Sequence, residues 1–139
     1  MPPLSRAFIK AGFVALLVAL GLEALQVRPA GLWPGLPRAA LHLTTLHLLT
    51  VGWLLQLITG VAYWMFPRRP GESPRGDPAP GWAAWACLNV GLVARTAGEP
   101  WRMAANGPLW PMQLAAVTQV AAAVLIVALL WPRIREPGR

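Results

Sequence analysis

From Ala39 to Phe66 the chain runs for 28 positions without a charged side chain, and this run holds both of its histidines, His42 and His47. The stretch reads AALHLTTLHLLTVGWLLQLITGVAYWMF, set between Arg38 and Pro67-Arg68-Arg69. A bilayer core needs about 20 apolar residues in a helix, so the run can span it with length to spare. Ionisable groups inside a span are costly, and they mark ion paths, proton relays or cofactor sites. The two histidines are therefore the first candidates for function.

The rest of the chain agrees with a membrane class. Of 139 residues, 56% are hydrophobic and only 12% charged, against roughly 25% charged in an ordinary soluble domain. The formal charge of +7 does not point to nucleic acid. The basic residues lie in short segments between apolar runs and form no basic face with interleaved aromatics. Cys87 is alone, which excludes an intrachain disulfide and a thiolate metal cluster. The N-terminal segment, with Arg6 and Lys10 ahead of Ala11–Leu22, imitates a signal peptide. It lacks a small-x-small cleavage site, so a retained helix is expected.

Four apolar segments predict an all-α membrane four-helix bundle in one domain, with spans at about 4–25, 39–66, 82–97 and 111–131. Pro111 and Pro132 suit the start and the stop of the last helix. Arg68–Gly81 (RRPGESPRGDPAPG) holds four prolines and three glycines and is expected as a solvated loop. Trp33, Trp64, Trp82, Trp101, Trp110 and Trp131 fall near span ends, as in an aromatic belt. With four spans, eight basic residues lie on the side of the termini (Arg6, Lys10, Arg68, Arg69, Arg75, Arg133, Arg135, Arg139) and four on the other (Arg28, Arg38, Arg95, Arg102). The positive-inside rule then places both termini and the Pro-rich loop in the cytoplasm.

Five residues of α-helix correspond to a rise of ~7.5 Å and a rotation of about 140°. His42 and His47 thus point to different sectors and cannot grip the two faces of one porphyrin. They also miss the i,i+4 spacing by which two helix residues share a small metal ion. One of them can ligate a haem iron while the other packs or hydrogen-bonds, or each can face a different helix across a dimer. Arg38 and Arg95 fall at the same, outer membrane face, and arginine suits bidentate binding of haem propionates. His47 lies ~13 Å along the helix from Arg38, near the reach from a porphyrin iron to its propionates. Gly52, Gly60 and Gly91 permit close approach of a planar group or of another helix.

Other readings compete with a haem. A histidine inside a span can simply bond a threonine on a neighbouring helix, and Thr44, Thr45 and Thr118 are at hand. Copper(I) bound with Met103 or Met112 has suitable thioether chemistry, but the methionines form no motif. Gln56, Gln113 and Gln119 read as helix bridges. Glu23 and Glu99 fall near the outer boundary, where a solvated acid is ordinary, so no carboxylate is expected at mid-span.

The second span, with arginine ahead of it, histidine inside, Gly52-Trp53, and the closing Gly60-Val-Ala-Tyr63-Trp64-Met-Phe-Pro67-Arg68, resembles the second helix of the haem-copper oxidase catalytic subunit. The likeness is to the branch that includes the nitric oxide reductases and the C-family oxidases. It implies that a histidine of this span ligates haem b, and its distance to Pro67 suits His47 better than His42. The family's catalytic subunit has twelve helices and six histidines, so this chain cannot build the binuclear centre. The expectation is a haem b protein of the bacterial inner membrane that binds or senses a small gas (NO, O2, with CO as a surrogate), or transfers electrons beside a respiratory chain. His47 and His42 are the candidate iron ligands, Arg38 and Arg95 the candidate propionate partners, and a homodimer is expected to complete the walls. A non-haem accessory or assembly subunit of a terminal oxidase is the competing expectation.

Overall fold

A computed structural model describes residues 1–27, 38–67 and 77–134 of the chain. The described residues form four helices: α1, Pro3–Gln26; α2, Arg38–Met65; α3, Ala79–Ala105; and α4, Trp110–Leu130, which ends in a 3₁₀ turn, Trp131–Arg133. Helices α1 and α2, and α4 with its closing turn, are long and apolar enough to cross a membrane. Helix α3 has the length but carries Arg95, Glu99 and Arg102 in its second half. Trp33, and the loop residues 68–76, lie outside the described residues.

Proline sets several helix starts, where a missing amide costs nothing. Pro3 opens α1, Pro111 lies in the first turn of α4, and Pro80 in that of α3. The α3 start is fixed further by Asp77, whose Oδ1 accepts from the Ala79 amide at 2.9 Å. Residues 79–81 of the expected loop are thus helical. At its other end α3 runs on to Ala105 rather than stopping near Ala97, and passes through Pro100. The stop comes at Asn106, whose φ of 49° is left-handed, with the Gly107 amide bonded to the Trp101 carbonyl at 3.3 Å.

The helices alternate in direction. At one end Leu4 of α1 meets Gly81 of α3 and Leu129 of α4, and Arg133 reaches the last turn of α2. At the other end Gln26 bonds Thr45, Thr44 bonds Glu99, and Gly98 abuts Pro111. In lipid the association of helices relies on close backbone approach at small residues. Gly52 and Gly60 supply it between α2 and α1. A Cβ on Gly52 would lie 2.8 Å from that of Ala15, and one on Gly60 would lie 3.0 Å from the Ser5 carbonyl. Gly91 does the same against α4, where a Cβ would come within 2.6 Å of Thr118 Oγ1. These glycines are occupied by helices, not by a planar ligand.

Within α2, residues Leu48–Leu55 adopt the wider π-helical turn. Thr44, Leu48, Gly52, Gln56 and Gly60 are all buried at steps of four. In a regular α-helix each such step drifts about 40°, so four of them would carry the stripe about 160° around. The wider turn counters that drift. It keeps Thr44 and Gln56, both bonded to α3, on one side of the helix.

Candidate functional site

The polar groups of the bundle collect at two levels between α2 and α3. At the first level, Thr44 and His47 are three residues apart on α2 and therefore share a face. Arg95 and Glu99 are four apart on α3 and do the same. Glu99 is the centre of the group. Its Oε2 accepts from Thr44 Oγ1 at 3.0 Å, and its Oε1 accepts from Arg95 Nε at 2.9 Å. Nδ1 of His47 lies 3.7 Å from the same Oε1. Glu99 is only 4% exposed, so its charge is held by one cation and one hydroxyl rather than by water.

His47 also bonds within its own helix, with Nδ1 2.9 Å from the Leu43 carbonyl oxygen. Among the described residues its Nε2 has no hydrogen-bond partner, and the side chain keeps 28% of its surface. Both neighbours of Nδ1 are acceptors, an arrangement that favours a proton on Nδ1 and leaves Nε2 as the available donor atom. An imidazole bonded through Nδ1 with Nε2 left without a partner is the arrangement of a metal-ligating histidine. The donor chemistry therefore fits the axial position of a haem.

Of the other expected residues, Arg95 and Thr44 join His47 around Glu99, and the rest are dispersed. His42 is exposed on the opposite sector of α2, as the rotation between positions 42 and 47 requires. Arg38 is the first residue of α2 and is exposed. Arg95 is engaged with Glu99 through Nε. Thr44 bonds Glu99 rather than a histidine, Thr45 accepts from Gln26, and Thr118 bonds carbonyls of its own helix. Met112 packs against Gly98, its sulfur 3.4 Å from where a Cβ would sit. No group of three or more metal-binding side chains of the His, Cys, Asp or Glu type occurs among the described residues.

The second level lies further along the bundle, where Gln56 and Asn89 exchange hydrogen bonds at 3.3 Å in both directions. Each amide also donates to a carbonyl one turn back, Gly52 for Gln56 and Trp85 for Asn89. Gln56 is thus the helix bridge that its residue type suggested. Open grooves of ≈ 640 Å³ between α3 and α4, and ≈ 360 Å³ between α1, α2 and α3, both border Asn89, and neither is lined by a histidine.

The sequence reads Glu99 as a solvated boundary acid and gives Asn89 no partner, whereas Glu99 joins Thr44 and Arg95, and Asn89 joins Gln56. The signal for Glu99 was present as two helix-spaced pairs, Thr44/His47 and Arg95/Glu99, at one depth. It is legible only if α3 is allowed to continue through Pro100. Comparison with known proteins finds no matching family model, no similar curated protein and no similar solved structure.

Proposed function

We propose that the chain is a four-span bundle of a bacterial inner membrane that holds haem b on His47 and binds a small gas such as NO or O2. The observation that carries this reading is the state of His47: Nδ1 between two acceptors, Nε2 without a partner among the described residues, the ring partly exposed. His47 would hold the iron and Arg38, at the outer end of the same helix, a propionate. Arg95 would reach the other only with the guanidinium nitrogens that Glu99 leaves over. When bound, the haem would supply an iron centre able to coordinate a diatomic gas. The chain's own part would be to hold the imidazole of His47 in one tautomer and to offer the iron no second strong ligand from the described residues. The rival ligand Met112 is spent on packing against Gly98, which favours the open site. Open coordination suits gas binding, whereas two strong axial ligands suit electron transfer. A second copy of the chain is the simplest source of the missing wall.

The test is an absorption spectrum of the purified protein. A Soret band at one haem per chain is expected, and in the reduced state CO should shift it at once. A reduced spectrum unchanged by CO would replace gas binding with electron transfer. Absence of the band would leave the second reading, a non-haem accessory or assembly subunit of a terminal oxidase. That reading draws on the glycines of α2 and α3, which are filled by neighbouring helices.

The orientation belongs to the same proposal: both termini and residues 68–81 in the cytoplasm, from the eight-to-four division of basic residues. Single cysteines placed in 68–76 of a Cys87→Ala protein should resist an impermeant thiol reagent in intact cells and react once the cells are opened. Labelling from outside would reverse the topology.

A further inference from the structure

On the reading of His47 as the iron ligand, we propose that Glu99 is its positioning residue: a buried carboxylate on α3, held by Arg95 and Thr44, that keeps Nδ1 protonated and Nε2 turned outward. The argument starts from the number of acceptors. Nδ1 faces the Leu43 carbonyl at 2.9 Å and Glu99 Oε1 at 3.7 Å. A lone pair on Nδ1 would be repelled by both, and by the full charge of the carboxylate most strongly. Leu43 alone could fix the tautomer, but it is neutral and moves with the same helix as the ring. Glu99 adds an anion delivered from a different helix, and thereby ties the ring's orientation to the α2–α3 packing.

The carboxylate has no freedom to turn away. Arg95 Nε holds Oε1 on the side of His47, and Thr44, one turn before the histidine, holds Oε2. A carboxylate beside the outer nitrogen of a ligating imidazole raises the basicity of the inner one, and loss of such a partner typically costs about 10–100-fold in metal affinity. A purely structural ion pair between α2 and α3 would have no such effect on the ring.

The experiment uses the full chain with His42→Gln, which leaves His47 as the sole histidine, and compares it with the same protein carrying Glu99→Gln. Because Glu99→Gln leaves Arg95 without its counter-charge, the Arg95→Gln/Glu99→Gln pair is made as well. Nitrogen-15 spectra of the haem-free proteins report the tautomer directly. The parent is expected to show the Nδ1–H form, and both variants an increase of at least about two-fold in the Nε2–H form. In the haem-loaded proteins the variants should bind haem about 10–100-fold more weakly, with the iron–histidine stretch of the reduced state moved to lower frequency. An unchanged tautomer ratio overturns the proposal, as does haem affinity and stretch equal to the parent's. If the parent takes up no haem, the haem reading falls by itself, and the tautomer measurement still decides the role of Glu99.

Discussion

Replacing His47 by alanine is expected to lower haem affinity by at least about 100-fold, above the 10–100-fold that outer partners of a metal ligand alone control. His42→Ala should leave the affinity within a few-fold of the parent. The contrast follows from where the two rings sit. His42 is exposed on another sector of α2, whereas His47 stands against Glu99 with its Nδ1 anchored. The alanine variant should still fold, because Thr44 and Arg95 continue to hold Glu99. It also leaves a ring-sized gap at a partly exposed position, so added imidazole should restore part of the Soret band. Loss of the band in the His42 variant alone would reverse the assignment of the ligand. Loss in neither would remove both histidines from the site.

What the residues revealed in advance, and what they concealed, divides along the range of the interactions involved. Local signals worked. The uncharged run at 39–66 is a helix, Pro111 sits in the first turn of the last helix, and the 140° between the histidines separates an exposed ring from a half-buried one. The end of α3 went astray because Gly98-Glu99-Pro100 carries a strong local stop signal. The bonds that Thr44 and Arg95 donate to Glu99, and the seat of Gly98 on Pro111, anchor the turn just before the proline. The actual stop, Asn106-Gly107-Pro108, was written in ordinary C-cap residues. An acid just past an apolar run reads as a solvated boundary residue, and only the packing of α3 on α2 brings Glu99 beside His47. The π-helical turn has no sequence signature of its own. It emerges from the need to present both Thr44 and Gln56 to α3, a constraint that exists only once the helices are packed.

The largest effect on stability is expected at the opposite end of the bundle, from Arg133→Ala. In the sequence this residue counts only as one more positive charge beside the last span. In the structure it is 1% exposed and clamps the end of α2. Its Nη2 donates to the carbonyls of Phe66 at 2.7 Å and Tyr63 at 3.0 Å, and its Nε to that of Pro67 at 3.3 Å. Tyr63 and Phe66 belong to the end of α2, where carbonyls lack partners within the helix, and a cation there also meets the negative pole of the helix dipole. The guanidinium lies 5.1 Å from the centre of the Tyr63 ring as well. Hydrogen bonds from a charged donor contribute about 1.5–3 kcal/mol each. They share one side chain and do not add fully, so a loss of roughly 3 kcal/mol is expected for Arg133→Ala by unfolding in mixed detergent. Arg133→Lys should recover less than half of it, because a single ammonium cannot present the planar fork that reaches carbonyls on both sides of the chain turn. Thr44 and Tyr63 are separated by roughly 28 Å of helix, so the variant should weaken the bundle without altering the tautomer of His47. Equal stability of the lysine and arginine proteins would show that charge alone, and not the fork, secures this end.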